Sequence, residues 1–379
     1  MSAISFIVTT YNIAPYIEAC LESVAAVARA GDEVIIIDDG STDTTEALIH
    51  AFGARGALAH GVIYKPVILG TNTIGGVGIG ANIGLWEARC DTVFFVDGDD
   101  WIDAQGFNKA RAQWALNTHD IMVANYRVFD EDNAQYLPPA DNRNWFDIPT
   151  IRNHHAAQTA ALTFIAVPWR KFYRRAFLVD HSITFPEGDF FFEDNPFHWD
   201  VCLAARDIGF ANHVLCYHRT NRPGQTMAST GLELAAFFTH FETIQRKISG
   251  RDGQFELLAA RWLLNNMTWH MDRLAPSARY SYARRATHSL GQIHPSIWQE
   301  LERSEAPKPI WAVVNRLRDG DIWGQIDAWH RRDLQRDMHD LRDTLAPVIE
   351  MAQTQRNAHL AQSASDSFAS LSQKYKGVI

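Results

Sequence analysis

The chain has 379 residues, 46% hydrophobic and 21% charged, enough to bury the core of one large α/β domain with an appendage, or of two domains. Its 35 basic and 44 acidic residues leave a net charge of −9, which speaks against the basic face of a nucleic-acid binder. The 4 cysteines (Cys20, Cys90, Cys202, Cys216) are scattered without a C-x-x-C, so neither a disulfide framework nor a zinc site is expected.

Met1-Ser2-Ala3 leads straight into ISFIVTTY with no basic segment before it, and no apolar run approaches the roughly 18 residues of a membrane span. A protein on the cytoplasmic side is expected. Strand and helix signals then alternate, the mark of a largely parallel sheet. Ile4 to Thr9 reads as a strand, and Ile17, Leu21, Val24 and Val27 keep helical spacing behind Pro15. Val34 to Ile37 is a short, wholly apolar strand, as in a sheet covered on both faces. DDGSTDTTEALI turns into a second helix, with Asp43 and Glu46 in capping-box register. Val62 to Leu69, Thr92 to Val96 and Asp120 to Phe129 read as further strands, with a helix over Ala81 to Ala88 and Asp103 as a helix cap. Asp130 to Thr150, with Pro138-Pro139, reads as a loop able to fold over a ligand. The alternation ends near Asn221, and consecutive helices follow, so a boundary is expected there: residues 1–220 and residues 221–379. Ile326, Trp329, Leu334, Met338, Leu341 and Leu345 form an irregular stripe that suits packing back on the helical part or, less well, self-association. The Ser-rich end is expected to fray.

The strongest constellation is VDGDD, which places Asp97, Asp99 and Asp100 just after a buried strand. Ligands of open α/β sheets bind beyond the carboxyl ends of the strands. Carboxylates crowded on one turn repel unless a cation neutralises them, and hard oxygen donors suit Mg²⁺ or Mn²⁺. IIIDDGSTD sets Asp38 and Asp39 at a second strand end, and FIVTTYN sets Thr9, Thr10, Tyr11 and Asn12 at a third. A carboxylate can accept an imide N–H and Tyr11 can stack a base, although Asp-Gly-Ser is also ordinary turn chemistry.

ISFIVTTYN, VIIIDDGSTD, the Gly-rich stretch ending ANIGLWEA, TVFFVDGDDWI, and VPWRKFYRRAFL followed by FPEGDFFFEDNPF together resemble glycosyltransferase family 2, over about the first 220 residues. That resemblance implies an α/β GT-A fold, a nucleotide-sugar donor (a UDP-sugar), a saccharide, lipid-linked or protein acceptor, and inverting transfer in polysaccharide or glycan synthesis. Thr9, Tyr11, Asp38 and Asp39 would then line the nucleoside pocket. Asp99 would be the favoured ligand of Mn²⁺ or Mg²⁺, Asp97 would lie towards the ribose, and Asp194 rather than Glu193 would be the base. Gly80-Ala81-Asn82 stands where many relatives have Ala-Arg-Asn, which puts the donor contact of that arginine in doubt; Arg170, Arg219 or Arg222 could supply a diphosphate contact instead or be ordinary solvated charge, and the TNRPGQTM segment resembles the family's mobile closure. Asn82 itself would lie at the donor.

Trp169 could stack on an acceptor sugar or simply pack, and His218 could complete a metal shell or be an ordinary buried histidine. Asp194 could also cap a helix beginning at Asn195-Pro196. Among rivals, Gly76-x-Gly78-x-x-Ala81 with Asp97 about 20 residues on fits a dinucleotide fingerprint, but GTNTIGG separates these glycines from their strand. A nucleotidyltransferase would carry a basic Gly-rich loop near the first strand, which TTYNIAPYI lacks. A non-catalytic scaffold would not need the intact acidic motifs. The helical part, bearing Trp and Arg, offers peripheral membrane contact.

Overall fold

The computed structural model describes residues 2–188, 191–222, 229–304, 309–374 and 376. Among them a nine-stranded mixed sheet contains β1 (Ile4–Thr10), β2 (Glu33–Asp38), β3 (Ile63–Ile68), β4 (Thr92–Asp97), β5 (Trp101–Ile102), β6 (Ile121–Asp130), β7 (Gln135–Leu137), β8 (Lys171–Arg174) and β9 (Ile208–Thr220). The order is β3-β2-β1-β4-β8-β6-β9-β5, with β7 paired on β6. β3, β2, β1 and β4 run parallel, whereas β8 is antiparallel to both β4 and β6. Because β1 lies between β2 and β4, with Thr9 opposite Asp97 and Thr10 opposite Asp38, the carboxyl ends of these strands meet at one edge.

The apolar strands feed both faces by simple alternation. Phe6, Val8, Val34 and Ile36 join one hydrophobic cluster, while Ile7, Ile35 and Ile37 join the other. The first face is covered by the helices Ile17–Ala25, Thr45–Ala54 and Ala104–Ala115. On the second face the helix Gly76–Glu87 lies unusually close, since a Cβ on Gly84 would stand 2.2 Å from Ile7 Cγ2. The same cluster continues through Phe197 and Trp199 to Phe237, Leu263, Tyr282 and Trp329. The sheet therefore ends at Thr220, and helices follow, but their core is continuous with that of the sheet.

Several local expectations change. The capping box is absent: Thr44 is the cap residue, Asp43 accepts from Thr45 N and Ala14 N instead, and Glu46 faces His50. Asp103 does cap its helix, accepting from Gly106 N at 2.7 Å. The 130–150 stretch is not a free loop. It carries β7 and two 3₁₀ turns and is fastened by the buried Asp141–Arg170 ion pair, with Ile165 N donating to the same carboxylate. The last helix, Ile322–Lys374, is 53 residues long and buries only Gln325, Ile326 and Trp329, so the stripe beyond Trp329 does not pack back on the domain. Helix continues to Lys374 where fraying was expected, and Tyr375 and residues 377–379 lie outside the described residues. No helix among the described residues is long and apolar enough to cross a membrane.

Candidate active site

The turn after β4 presents carboxylate oxygens of Asp97, Asp99 and Asp100 that all lie within 4.8 Å of one another. Their surroundings are arranged to hold that charge. Asp100 is buried and accepts from His218 Nδ1 at 2.9 Å and from Arg219 N at 2.8 Å. Asp99 pairs with Arg222 through Nε, and its carbonyl accepts from Arg219 Nε at 3.0 Å. For Asp97, burial, then the charges of Asp100, Asp99 and Asp194, hold its carboxyl well above the ordinary value, offset in part by His218. Burial alone would lower His218, but Asp100, followed by Asp97 and Asp99, raises it to about 9. His218 is thus first a charged partner of Asp100, and service as a metal ligand would require loss of its proton. The crowded hard oxygen donors fit a divalent cation.

The second acidic element, Glu193-Asp194, packs against Gly78 at the start of the helix Gly76–Glu87. Phe192 adopts φ 69°, a left-handed conformation that is uncommon for a bulky residue, and Glu193 and Asp194 follow directly. The helix begins at Asp194 itself, with Glu193 at the cap position and no side-chain capping bond, so the expected capping alternative for Asp194 is not what the structure contains. Burial and then the charge of Glu193 push Asp194 up to about 8, offset in part by Lys171 and His218. Burial also raises Glu193, against backbone N–H groups that include Gly78. Lys171 is fully buried, donates to Val167 O at 2.6 Å, and is lowered by burial to about 7.

The helical region holds this acidic segment. His240 Nε2 donates to Phe191 O at 2.7 Å, and Trp262 Nε1 donates to Asn195 Oδ1 at 2.8 Å. The ring of Phe192 packs against Trp269 and His270. Nothing in the sequence pointed to Trp262 or His240, because the contacts join residues 49 and 67 positions apart.

The glycines earlier suspected of a dinucleotide fingerprint have another use. A Cβ on Gly78 would stand 3.1 Å from Pro186 O and 3.2 Å from Glu193 Cγ, and one on Gly80 would meet Thr9 and Ile37. They let the start of the helix lie against β1, β2 and the acidic segment. Asn82 belongs to the same joint: it is fully buried, donates to Phe185 O and Glu187 Oε1, and accepts from Phe185 N. Its side chain is thus held as a structural clasp between this helix and Phe185 and Glu187.

Other expected residues divide similarly. Asp38 is fully buried and accepts from Thr10 Oγ1, Ser41 N and Ser41 Oγ, so it braces the turn instead of lining a pocket. Asp39 is 6% exposed and accepts from Asn72 Nδ2, Thr73 N and Thr73 Oγ1, and Gly40 at φ +70° allows Thr71 to press against that turn. Tyr11 is 45% exposed at the end of β1, with half-buried Thr9 close by. Trp169 is only 3% exposed, stacks on His218 at 5.0 Å and meets Tyr126 edge-on, so it cannot offer a face to an acceptor sugar. Arg170 is likewise buried in its pair with Asp141, away from any diphosphate role. Of the expected TNRPGQTM closure segment, residues 223–227 lie outside the described residues, as does Phe190 beside the acidic pair.

A parallel β3-β2-β1-β4 half sheet with carboxylates at its strand ends, extended by antiparallel β8, defines a GT-A nucleotide-diphosphosugar transferase fold. Residues 5–181 match the family described as Glycosyl transferase family 2. Among curated proteins the chain is 27% identical over 218 residues to the uncharacterized glycosyltransferase EpsJ of Bacillus subtilis, covering 58% of this chain and 61% of EpsJ. It is 29% identical over 254 residues to the poly(ribitol-phosphate) beta-N-acetylglucosaminyltransferase TarS of Staphylococcus aureus, covering 66% of this chain and 41% of TarS. The chain thus spans less than two thirds of the length of these relatives. The crystal structure of S. aureus TarS 1–349 in complex with UDP-GlcNAc superposes with a TM-score of 0.66 at 21% identity, over 87% of this chain and 92% of that one.

Proposed function

We propose that the chain is an inverting glycosyltransferase that moves a sugar from a nucleotide-sugar, a UDP-sugar in the first instance, to an acceptor hydroxyl. The observation that carries this is the meeting of two acidic elements at one sheet edge: Glu193 lies against Gly78 of the helix whose Gly80 packs on Thr9, and Thr9 lies opposite Asp97. In this reading Tyr11, Thr9 and Asp39 receive the nucleoside. Asp99 and Asp97 would hold Mn²⁺ or Mg²⁺, which when bound neutralises charge on the diphosphate. Arg222, which pairs with Asp99, and Arg219, which bonds its carbonyl, would supply cations to the phosphates. Asp194 takes the acceptor's hydroxyl proton, the oxygen attacks the anomeric carbon from the opposite face, and the nucleoside diphosphate leaves with the bonding electrons. The UDP preference is supported by the UDP-GlcNAc complex of TarS, and a role in polysaccharide or glycan synthesis by the poly(ribitol-phosphate) transferase name of that relative. Saccharide, lipid-linked and protein acceptors all satisfy this chemistry.

Melting temperature tests the donor class, because a ligand that binds only the folded state stabilises it by an amount that grows with the logarithm of its concentration over Kd. UDP with Mn²⁺ should raise it and NADH should not. A rise with NADH alone would overturn the reading.

The clasp on the acidic segment makes a separate prediction. Trp262→Phe keeps a ring against Phe237 and Phe241 but removes the N–H given to Asn195. Misplacement of a catalytic group by about 1 Å costs roughly 10²-fold, so a partial loss of position should lower kcat by roughly tenfold. Steady-state kinetics should show that fall with KM for the donor unchanged. An unaltered kcat would mean that the indole only packs.

A further inference from the structure

We infer that the projecting C-terminal helix pairs with the same helix of a second copy of this chain, in a parallel two-stranded coiled coil over Leu334 to Ala352. All residues from Leu334 to Lys374 are exposed, although the helix there carries Leu334, Met338, Leu341, Leu345 and Val348, each at least 42% exposed. With Ala352 these residues are spaced four, three, four, three and four apart, the d-a-d-a-d-a seam of a heptad repeat. The intramolecular stripe of Ile326 and Trp329 stops just before this seam begins.

The positions around the seam say what covers it. Those facing away from it are Arg336, His339, Asp340, Asp343, Ala346, Pro347, Glu350, Gln353 and Thr354, polar apart from Ala346 and Pro347, so the apolar stripe is confined to one face. Pro347 is among them, which keeps its ring out of the seam. Flanking the seam, Asp337 falls at g and Arg342 at the following e. In a parallel pair these meet across the interface, and symmetry makes the contact twice. Ile349 and Met351, at the next e and g, widen the apolar strip. A membrane surface fits less well, because the polar face carries Asp340, Asp343 and Glu350 against Arg336, and acidic lipid would repel it. The seam spans roughly 28 Å at about 1.5 Å per residue, short for a coiled coil, so the association should depend on concentration in the micromolar range.

Sedimentation equilibrium of the full chain tests this, since Leu341 and Asp337 are exposed and their replacement leaves the fold alone. The wild type should shift from monomer to dimer with concentration, and Leu341→Asp should stay monomeric. Asp337→Arg should weaken the dimer about tenfold, and adding Arg342→Asp should restore it by reversing the pair. A wild type that stays monomeric at about 100 μM, a Leu341→Asp variant that still dimerises, or a double variant that is not restored would each overturn the parallel pairing.

Discussion

Replacing Asp194 by Asn should lower sugar transfer by roughly 10²–10⁴-fold, the usual worth of a lost general base, while UDP affinity hardly changes. The substitution keeps the shape of the side chain at the first position of its helix and removes only the ability to take a proton. A pH profile sharpens the test. Burial and the neighbouring Glu193 raise Asp194 from its ordinary value of 3.8 to about 8, so the base is largely protonated at neutral pH in the free enzyme. Its kcat/KM should therefore rise with pH through about 8. The same shift acts on stability with the opposite sense. Between 3.8 and about 8 the folded chain holds a proton that the unfolded chain has lost, so this group's contribution becomes less favourable as pH rises across that window. Asn has no such penalty, and the variant should melt higher than the wild type above about pH 8. Lost transfer in a protein that is more stable separates the chemical role from misfolding. Transfer near the wild-type rate would move the base to Glu193 or elsewhere.

The parts of this architecture that read directly from the sequence are those governed by local chemistry. Ile4–Thr10, Glu33–Asp38 and Thr92–Asp97 are short β-rich runs that end in polar turns, and the sheet brings those turns to one edge. Asp103 caps because its geometry is complete within four residues. What stayed hidden depends on partners far along the chain. Asn82 and Gly78 resembled donor-binding or dinucleotide residues, and only the fold shows Phe185, Pro186 and Glu193 resting against them. Asp38 and Asp39 are adjacent and alike in sequence, yet one braces Thr10 and Ser41 while the other meets a loop 33 and 34 residues away. Trp169 gave no sequence signal that would separate a sugar platform from a core ring, and its burial between Tyr126 and His218 decides it. The Asp100–His218 pair joins residues 118 positions apart, which no spacing rule could have matched.

Replacing Asp99 by Ala should remove the metal-dependent part of UDP binding and leave the fold intact. The carboxylates of Asp97, Asp99 and Asp100 are not equivalent. Asp100 is buried and engaged by His218 and the Arg219 backbone, so its loss would leave a buried cation and disturb β9. Asp99 is partly exposed, and the contact its side chain makes is to Arg222 at the same edge. Alanine there takes away an oxygen donor without opening the core. Titration of UDP by calorimetry, with and without Mn²⁺, is the measurement. The wild type should bind more tightly with the ion. In the variant that gain should fall by at least the roughly 10–100-fold that even a lost outer-shell partner costs. Asp103→Ala provides the contrast, since Asp103 lies only four residues on but caps its helix through Gly106 N. It should cost about 1 kcal/mol of stability and leave the metal dependence of UDP binding unchanged. If Asp99→Ala keeps the full Mn²⁺ effect, Asp99 is a partner of Arg222 alone, and the ion, if one binds, is held by Asp97 and Asp100.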